Sequence, residues 1–156
     1  DLLVGLAWNS MNVKRGPRKS LPLAAYAPLT EITGIRFIDL QYGDTAGERE
    51  AFETETGVGV FHDPDIDQLQ DLDAFAAQVA AMDLLVSVST TAVHFAGALG
   101  VPAWVLLNTV PRTCWMREGE TSHLYSSVRL YRQRQAGEWV DVVDAVKEDL
   151  SGFKPG

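Results

Sequence analysis

Short apolar runs alternate with polar, helix-like segments along the whole chain. The first run, residues 2–8, has no polar alternation, which is typical of a strand buried on both faces of a sheet. Further strands are predicted at residues 35–40, 58–61, 84–88, 103–107 and 128–131. Helical spacing of apolar residues or helix-start signals predicts helices at residues 22–30, 46–55, 71–82, 91–99 and 139–150.

This alternation predicts an α/β fold: a Rossmann-like, doubly wound, mostly parallel sheet of about six strands with helices on both faces. We expect a single domain over residues 1–156, since no repeat, low-complexity tract or linker interrupts it. Ligands of open parallel sheets bind beyond the carboxyl ends of the strands. The candidate loops therefore follow Ala7, Leu40, Val88 and Leu107, and the segment 108–127 is long enough to suggest a functional loop.

Composition narrows the class of protein. The 156 residues are 46% hydrophobic with a single cysteine, as in an ordinary globular chain without internal disulfides. A net charge of −8 argues against nucleic acid as a partner, and no apolar run reaches the roughly 18 residues of a membrane span. The start lacks both a Met and the basic segment of a signal peptide, so we expect a cytoplasmic piece of a longer protein.

Charge is unevenly distributed along the sequence. Residues 44–83 hold eleven acidic side chains against Arg49 alone. The loop after the first strand, in contrast, holds four basic residues within six positions: Lys14, Arg15, Arg18 and Lys19. Such a local excess can attract a small anion even when the whole molecule repels large ones.

Hydroxyl residues follow the fourth predicted strand and directly precede a helix. Ser89 or Thr90 can cap that helix, so that the next backbone N–H groups, from Thr91 and Ala92, are free to hold an anion such as a diphosphate. His94 lies one turn into the same helix. Simple helix capping and a half-buried histidine are the alternative interpretation.

The basic loop also contains Asn9 and Ser10, directly after the first strand. If that strand is central, the loop faces the start of the fourth-strand helix, and its cations could complete a phosphate clamp. A solvated basic loop remains the alternative. Neither a Walker A pattern nor GxGxxG follows the first strand, which disfavours nucleotide triphosphate hydrolysis and dinucleotide binding.

Other candidate residues carry weaker signals. The acidic segment 63–67 lacks the Gly and Glu of a calcium loop, and no Cys/His spacing fits zinc, so no metal is expected. Cys114 is interpreted as an unremarkable thiol. Arg129, Arg132 and Arg134 are interpreted as surface charge.

Taken together, the chain resembles the C-terminal, nucleotide-sugar-binding half of GT-B fold glycosyltransferases. In particular, it resembles the heptosyltransferase-like domains that follow tetratricopeptide repeats in bacterial proteins. It runs in order through VGLAW, KRGPRKSLPL, FIDLQYG, AFAAQVAAMDLLVSV, TTAVHFAGALGVPAWVLL, and SSVRLYRQ with GEW. It implies a nucleoside-diphosphate sugar as substrate, no metal, and an absent N-terminal half that binds the acceptor and supplies the catalytic base.

The resemblance also implies roles for individual residues. Contacts with the donor diphosphate carry over to Thr90, Thr91, Ala92 and His94, and phosphate-binding cations to Arg18 and Lys19. Gln41 and Tyr42 would lie near the nucleoside. The chain departs from the family at Ser89, where relatives usually have Asp, and at PRTCW (residues 111–115), where they often have PDWRW.

Two functions follow from these departures and matches. The chain is expected to be the donor side of a glycosyltransferase, inactive without its other half, or a degenerate, non-catalytic module that holds a nucleotide or a partner protein. An epimerase of the same fold would need paired acidic residues at the strand ends, and none is seen. An apolar surface left bare by the absent half could also drive formation of a homodimer.

Overall fold

A computed structural model describes all 156 residues and contains one sheet of six parallel strands. The strand order is β3-β2-β1-β4-β5-β6, so the first strand is central and the direction of winding reverses between β1 and β4. The strands are β1 Leu2–Ala7, β2 Ile35–Asp39, β3 Val60–Phe61, β4 Leu84–Val88, β5 Ala103–Leu107 and β6 Val128–Arg132. The prediction of a Rossmann-like α/β fold is confirmed.

An α-helix lies between consecutive strands in every crossover except the last. The α-helices are α1 Gly16–Lys19, α2 Ala46–Thr56, α3 Leu72–Ala80, α4 Thr91–Leu99 and α5 Val140–Ser151. Two 3₁₀ segments span Leu23–Glu31 and Thr113–Trp115. The structure contains no helix with the length and apolarity needed to cross a membrane.

Alternating side chains of the sheet enter two separate cores. On one face, Val4, Leu6 and Val86 pack under α2, α5 and the Leu23–Glu31 segment. On the other, Leu85 and Val105 pack under α3 and α4. Burial on both faces explains why the strands are apolar runs rather than alternating sequences.

Two predicted elements differ in detail. The helix expected at 22–30 is a 3₁₀ helix, with Pro28 inside it. Because proline has no N–H to donate and its ring crowds the preceding turn, a regular α-helix is disfavoured there. The polar loop after β1 contains the short helix α1, which begins at Gly16 and carries Pro17 in its first turn.

Candidate anion-binding site

The loops after β1, β4 and β5 enclose two adjoining cavities beyond the carboxyl ends of the strands. The first, called the pocket, has a volume of about 440 Å³ and reaches toward Tyr42 and Phe75. The second, called the cleft, has a volume of about 940 Å³ and reaches toward Trp139. The two share Lys19, Ser89 and Arg112 in their walls.

Most of the predicted site residues meet in these cavities. Those lining the pocket are Ser10, Lys19, Tyr42, Ser89, Thr90, Thr91, Ala92 and His94. Arg18 lines only the cleft. Asn9 and Gln41 line neither cavity.

The start of α4 faces the pocket without a side-chain cap. Thr90 is the N-cap residue, but neither its hydroxyl nor that of Ser89 accepts a hydrogen bond from the first turn, contrary to the prediction. Thr90 Oγ1 lies 3.0 Å from Ser87 Oγ, and Ser89 Oγ accepts from Trp115 Nε1 at 2.9 Å. The backbone N–H groups of Thr91 and Ala92 consequently donate no hydrogen bond within the protein. They are available to an anion.

Lys19 lies at the junction of the two cavities. Its ammonium group donates to the backbone carbonyl of Ser89 at 2.7 Å, which holds it beside the start of α4. Partial burial lowers the pKa of Lys19, and the positive charges of Arg112 and Arg15 lower it further. We call Arg15, Lys19 and Arg112 the cation cluster.

No member of the cation cluster has a carboxylate partner. The ion pairs of the chain involve other basic residues, namely Arg36, Arg49, Arg129 and Lys147. No aspartate or glutamate lines the pocket or the cleft. Like charges held together without a counter-ion are unfavourable in the free protein, and a bound anion relieves that repulsion.

The basic loop is fixed by contacts with its own backbone. Ser10 N–H donates to Ser20 Oγ at 2.8 Å, and Asn12 Oδ1 accepts from the N–H of Lys14 at 3.1 Å. Gly16 lies so close to this turn that a Cβ there would be 2.0 Å from the Ser10 carbonyl oxygen. Only glycine fits at this position. The loop is therefore an ordered wall of the site.

His94 is held by two aromatic residues. Its Nδ1 lies 2.9 Å from the hydroxyl of Tyr125, and its ring stacks on Trp115 with centroids 5.4 Å apart. Tyr125 packs directly on Gly97, where a Cβ would be 2.3 Å from the phenol ring. Burial lowers the pKa of His94, as do the nearby charges of Arg112 and Lys19. The Nε2 atom of His94 makes no hydrogen bond within the protein.

Gln41 supports the site from beneath. It is buried, and its Oε1 accepts from the backbone N–H groups of Trp8 and Asn9 at 2.9 and 2.8 Å. Its Nε2 donates to the carbonyl oxygens of Asn9 and Tyr42. All the hydrogen bonds of its amide therefore join the loops after β1 and β2, and Tyr42, its neighbour, is the residue that reaches the pocket.

A buried carboxylate anchors this region. Asp39, at the end of β2, is fully buried and contacts His62 Nδ1 at 2.9 Å and Arg49 Nε at 3.3 Å. The Thr45 hydroxyl donates to the same carboxylate, and Gln41 N–H donates to its other oxygen at 2.9 Å. The network ties β2, the start of α2 and the end of β3 together under the loop that carries Tyr42.

The loop after β5 holds the residues that sequence reasoning missed. Arg112 lines both cavities, although in the sequence it stands only within the PRTCW segment that departs from the resemblance. Arg132, interpreted as surface charge, donates to four backbone carbonyls of this loop: those of Trp115, Met116, Glu118 and Gly119. The unusual length of the segment and its place after a central strand were the only signals in the sequence.

Comparison with known proteins gives one relative. The chain is 35% identical over 153 residues to Protein FlbA of Caulobacter vibrioides; the match covers 96% of this chain and 25% of FlbA. The chain therefore spans about a quarter of the length of that curated relative. No protein-family model matches the chain. No group of three or more His, Cys, Asp or Glu side chains is arranged to hold a metal ion.

Proposed function

We propose that this chain binds a nucleoside-diphosphate sugar, as the donor-side domain of a glycosyltransferase that needs no metal. The observation that carries the proposal is the unpaired cation cluster at the junction of two cavities. A ligand that fits this arrangement has an anionic centre and two different ends, as a nucleoside-diphosphate sugar has.

Each part of such a ligand has complementary groups in the chain. The diphosphate would contact Lys19, Arg112 and the free N–H groups at the start of α4, where the helix dipole also favours negative charge. The nucleoside would enter the pocket, whose walls include Tyr42, Leu72 and Phe75. Apolar and aromatic walls are typical of base-binding sites.

Transfer would require a group from outside this chain. No carboxylate lines either cavity, and His94 lines the pocket, where the nucleoside would bind, and not the cleft. The cations can stabilise a departing diphosphate, but deprotonation of an acceptor hydroxyl needs a base. We propose that the base belongs to an N-terminal half of the same protein, so that the chain alone binds the donor without transferring the sugar.

A second candidate function is a non-catalytic module of a tetratricopeptide-repeat protein that retains nucleotide binding. Ser89 favours it, because the resemblance places a catalytic-domain aspartate at that position. Here the Ser89 hydroxyl accepts from Trp115 Nε1 instead. Under either proposal the protein acts in the cytoplasm. The two differ in turnover of the full-length protein and agree on donor binding by this chain.

Thermal unfolding with ADP, UDP, GDP and CDP tests the proposal. A ligand present at a hundred times its dissociation constant should raise the free energy of unfolding by about 2.7 kcal/mol. For a domain of this size the midpoint should rise by roughly 5–10 °C. The matching nucleosides, which lack phosphate, should give little or no rise. Absence of any shift with all four nucleotides at millimolar concentration would refute donor binding.

A further inference from the structure

Gln133 is a buried glutamine whose side-chain amide has no partner. It follows β6, and its backbone N–H donates to the carbonyl of Leu107 at 2.8 Å, which fixes it to the sheet. The residue is 6% exposed, and neither Nε2 nor Oε1 makes a hydrogen bond. Two other buried side-chain atoms lack partners, Gln78 Oε1 and Ser127 Oγ. Gln133 differs from both because its donor and its acceptor atom are unpartnered together.

An unpartnered amide at this position is costly for the free protein. Burying an amide group without hydrogen bonds disfavours the folded state, and an apolar side chain of the same length would avoid that penalty. Such an amide needs a partner that an ordered water, an ion or a ligand can supply. The Gln133 amide is therefore a candidate group for ligand recognition.

Gln133 lies between the cleft and a groove beside α5, and lines both. The groove has five carboxylates (Glu120, Asp141, Asp144, Glu148 and Asp149) against three arginines in its lining, which disfavours an anionic donor there. The cleft instead holds the unpaired cation cluster, and Trp139 forms part of its wall. A ligand that hydrogen-bonds to the Gln133 amide is therefore expected to bind in the cleft and not in the groove.

We propose that the cleft holds the glycosyl group of the donor. The Gln133 amide is closed to solvent in the free protein, and on binding its side chain turns toward the cleft and hydrogen-bonds to the sugar hydroxyls. This inference rests on the proposed function. With the diphosphate at Lys19 and Arg112 and the nucleoside in the pocket, the sugar lies on the cleft side. An amide offers one acceptor and two donor hydrogens, and a sugar hydroxyl both donates and accepts. Gln133 then selects among sugars by the positions of their hydroxyls.

Replacement of the amide by an apolar side chain of the same length separates recognition from folding. In Gln133→Met, a sugar nucleotide should bind about five- to tenfold more weakly, because one or two hydrogen bonds are lost, while its parent diphosphate binds as before. The midpoint of thermal unfolding without ligand should stay the same or rise. Calorimetric titration of the protein with each ligand measures the affinities. The ligand pairs are UDP and UDP-glucose, GDP and GDP-mannose, and ADP and ADP-glucose.

The control is Gln135→Met, which changes an exposed glutamine two residues further along the chain. It should leave every affinity unchanged. Gln133→Leu provides a second variant if the methionine is poorly accommodated. If Gln133→Met leaves the ratio of sugar-nucleotide to diphosphate affinity unchanged for every pair, the role of Gln133 is overturned. The proposed diphosphate site would still stand, because the diphosphates still bind. Absence of binding by all the diphosphates would overturn the proposed function as well.

Discussion

Replacing both Lys19 and Arg112 with alanine should weaken binding of a nucleoside diphosphate at least about a hundredfold, since a hydrogen bond to a charged group contributes roughly 1.5–3 kcal/mol. These two residues line both cavities, and Lys19 is held beside the start of α4 by the Ser89 carbonyl. Calorimetric titration of the diphosphate that stabilises the natural protein measures the loss.

The matched control removes the same number of positive charges, two, at positions outside the site. Arg36 is exposed at the start of β2, whereas the site lies at the carboxyl ends of the strands. Lys154 is exposed beyond α5. The variant Arg36→Ala with Lys154→Ala should retain binding within about twofold at physiological salt, where charges more than roughly 8 Å away are screened. Equal losses in the two double variants would mean that overall charge, not the cation cluster, governs affinity.

The largest effect on stability is expected from Asp39→Ala. The variant removes the shared partner of His62, Arg49 and Thr45 in the buried network at the end of β2. Loss of one member of a buried ion pair costs about 3–5 kcal/mol, and we expect about 3 because Arg49 and His62 are partly exposed and can rehydrate. Urea unfolding measures it directly, and the thermal midpoint should fall by roughly 6–12 °C.

Arg36→Ala serves as the comparison for this variant. Arg36 and Asp1 form an ion pair at 3.9 Å with side chains 72% and 58% exposed. Exposed pairs contribute about 0–1 kcal/mol, so this change should barely alter the free energy of unfolding. A loss below about 1 kcal/mol for Asp39→Ala would show that the network does not hold the end of β2 in place.

The fold was predictable because its signals are local. Apolar runs of five or six residues, a glycine and proline after α4, and the Ala-rich repeat of α3 each specify one element from neighbouring residues. Once the sheet is parallel with β1 central, the loops after β1 and β4 must adjoin. Lys19, Thr91 and His94 were accordingly predicted near one another, and they line one pocket.

The contacts that shape the site could not be read in the same way, because they join residues far apart in sequence. The Lys19 ammonium meets the carbonyl of Ser89, 70 positions away. Trp115 Nε1 donates a hydrogen bond to the Ser89 hydroxyl, which local reasoning assigned to helix capping. The periodicity of apolar residues along the chain does not indicate such pairings. Arg112 was passed over for the same reason, since its neighbours in sequence lack a regular pattern.

Gln41 shows how a residue type can mislead. A glutamine after a strand end suggests a ligand contact, and the resemblance implies one near the nucleoside. In the structure its amide makes four hydrogen bonds to the backbone of the loops after β1 and β2. Gln133 ends the SSVRLYRQ run but is given no role by the resemblance, and it is the glutamine whose amide is left without partners. Only the three-dimensional arrangement distinguishes the two.

The central claim is that a diphosphate binds where the cation cluster meets the start of α4. Titration of the ¹⁵N-labelled chain with the stabilising nucleoside diphosphate, followed by amide chemical shifts, tests it most directly. The largest shifts are expected at the N–H groups of Thr91 and Ala92, which donate no hydrogen bond in the free protein. Largest shifts in the groove beside α5, around Arg129 and Asp149, or no shifts at millimolar ligand, would contradict it.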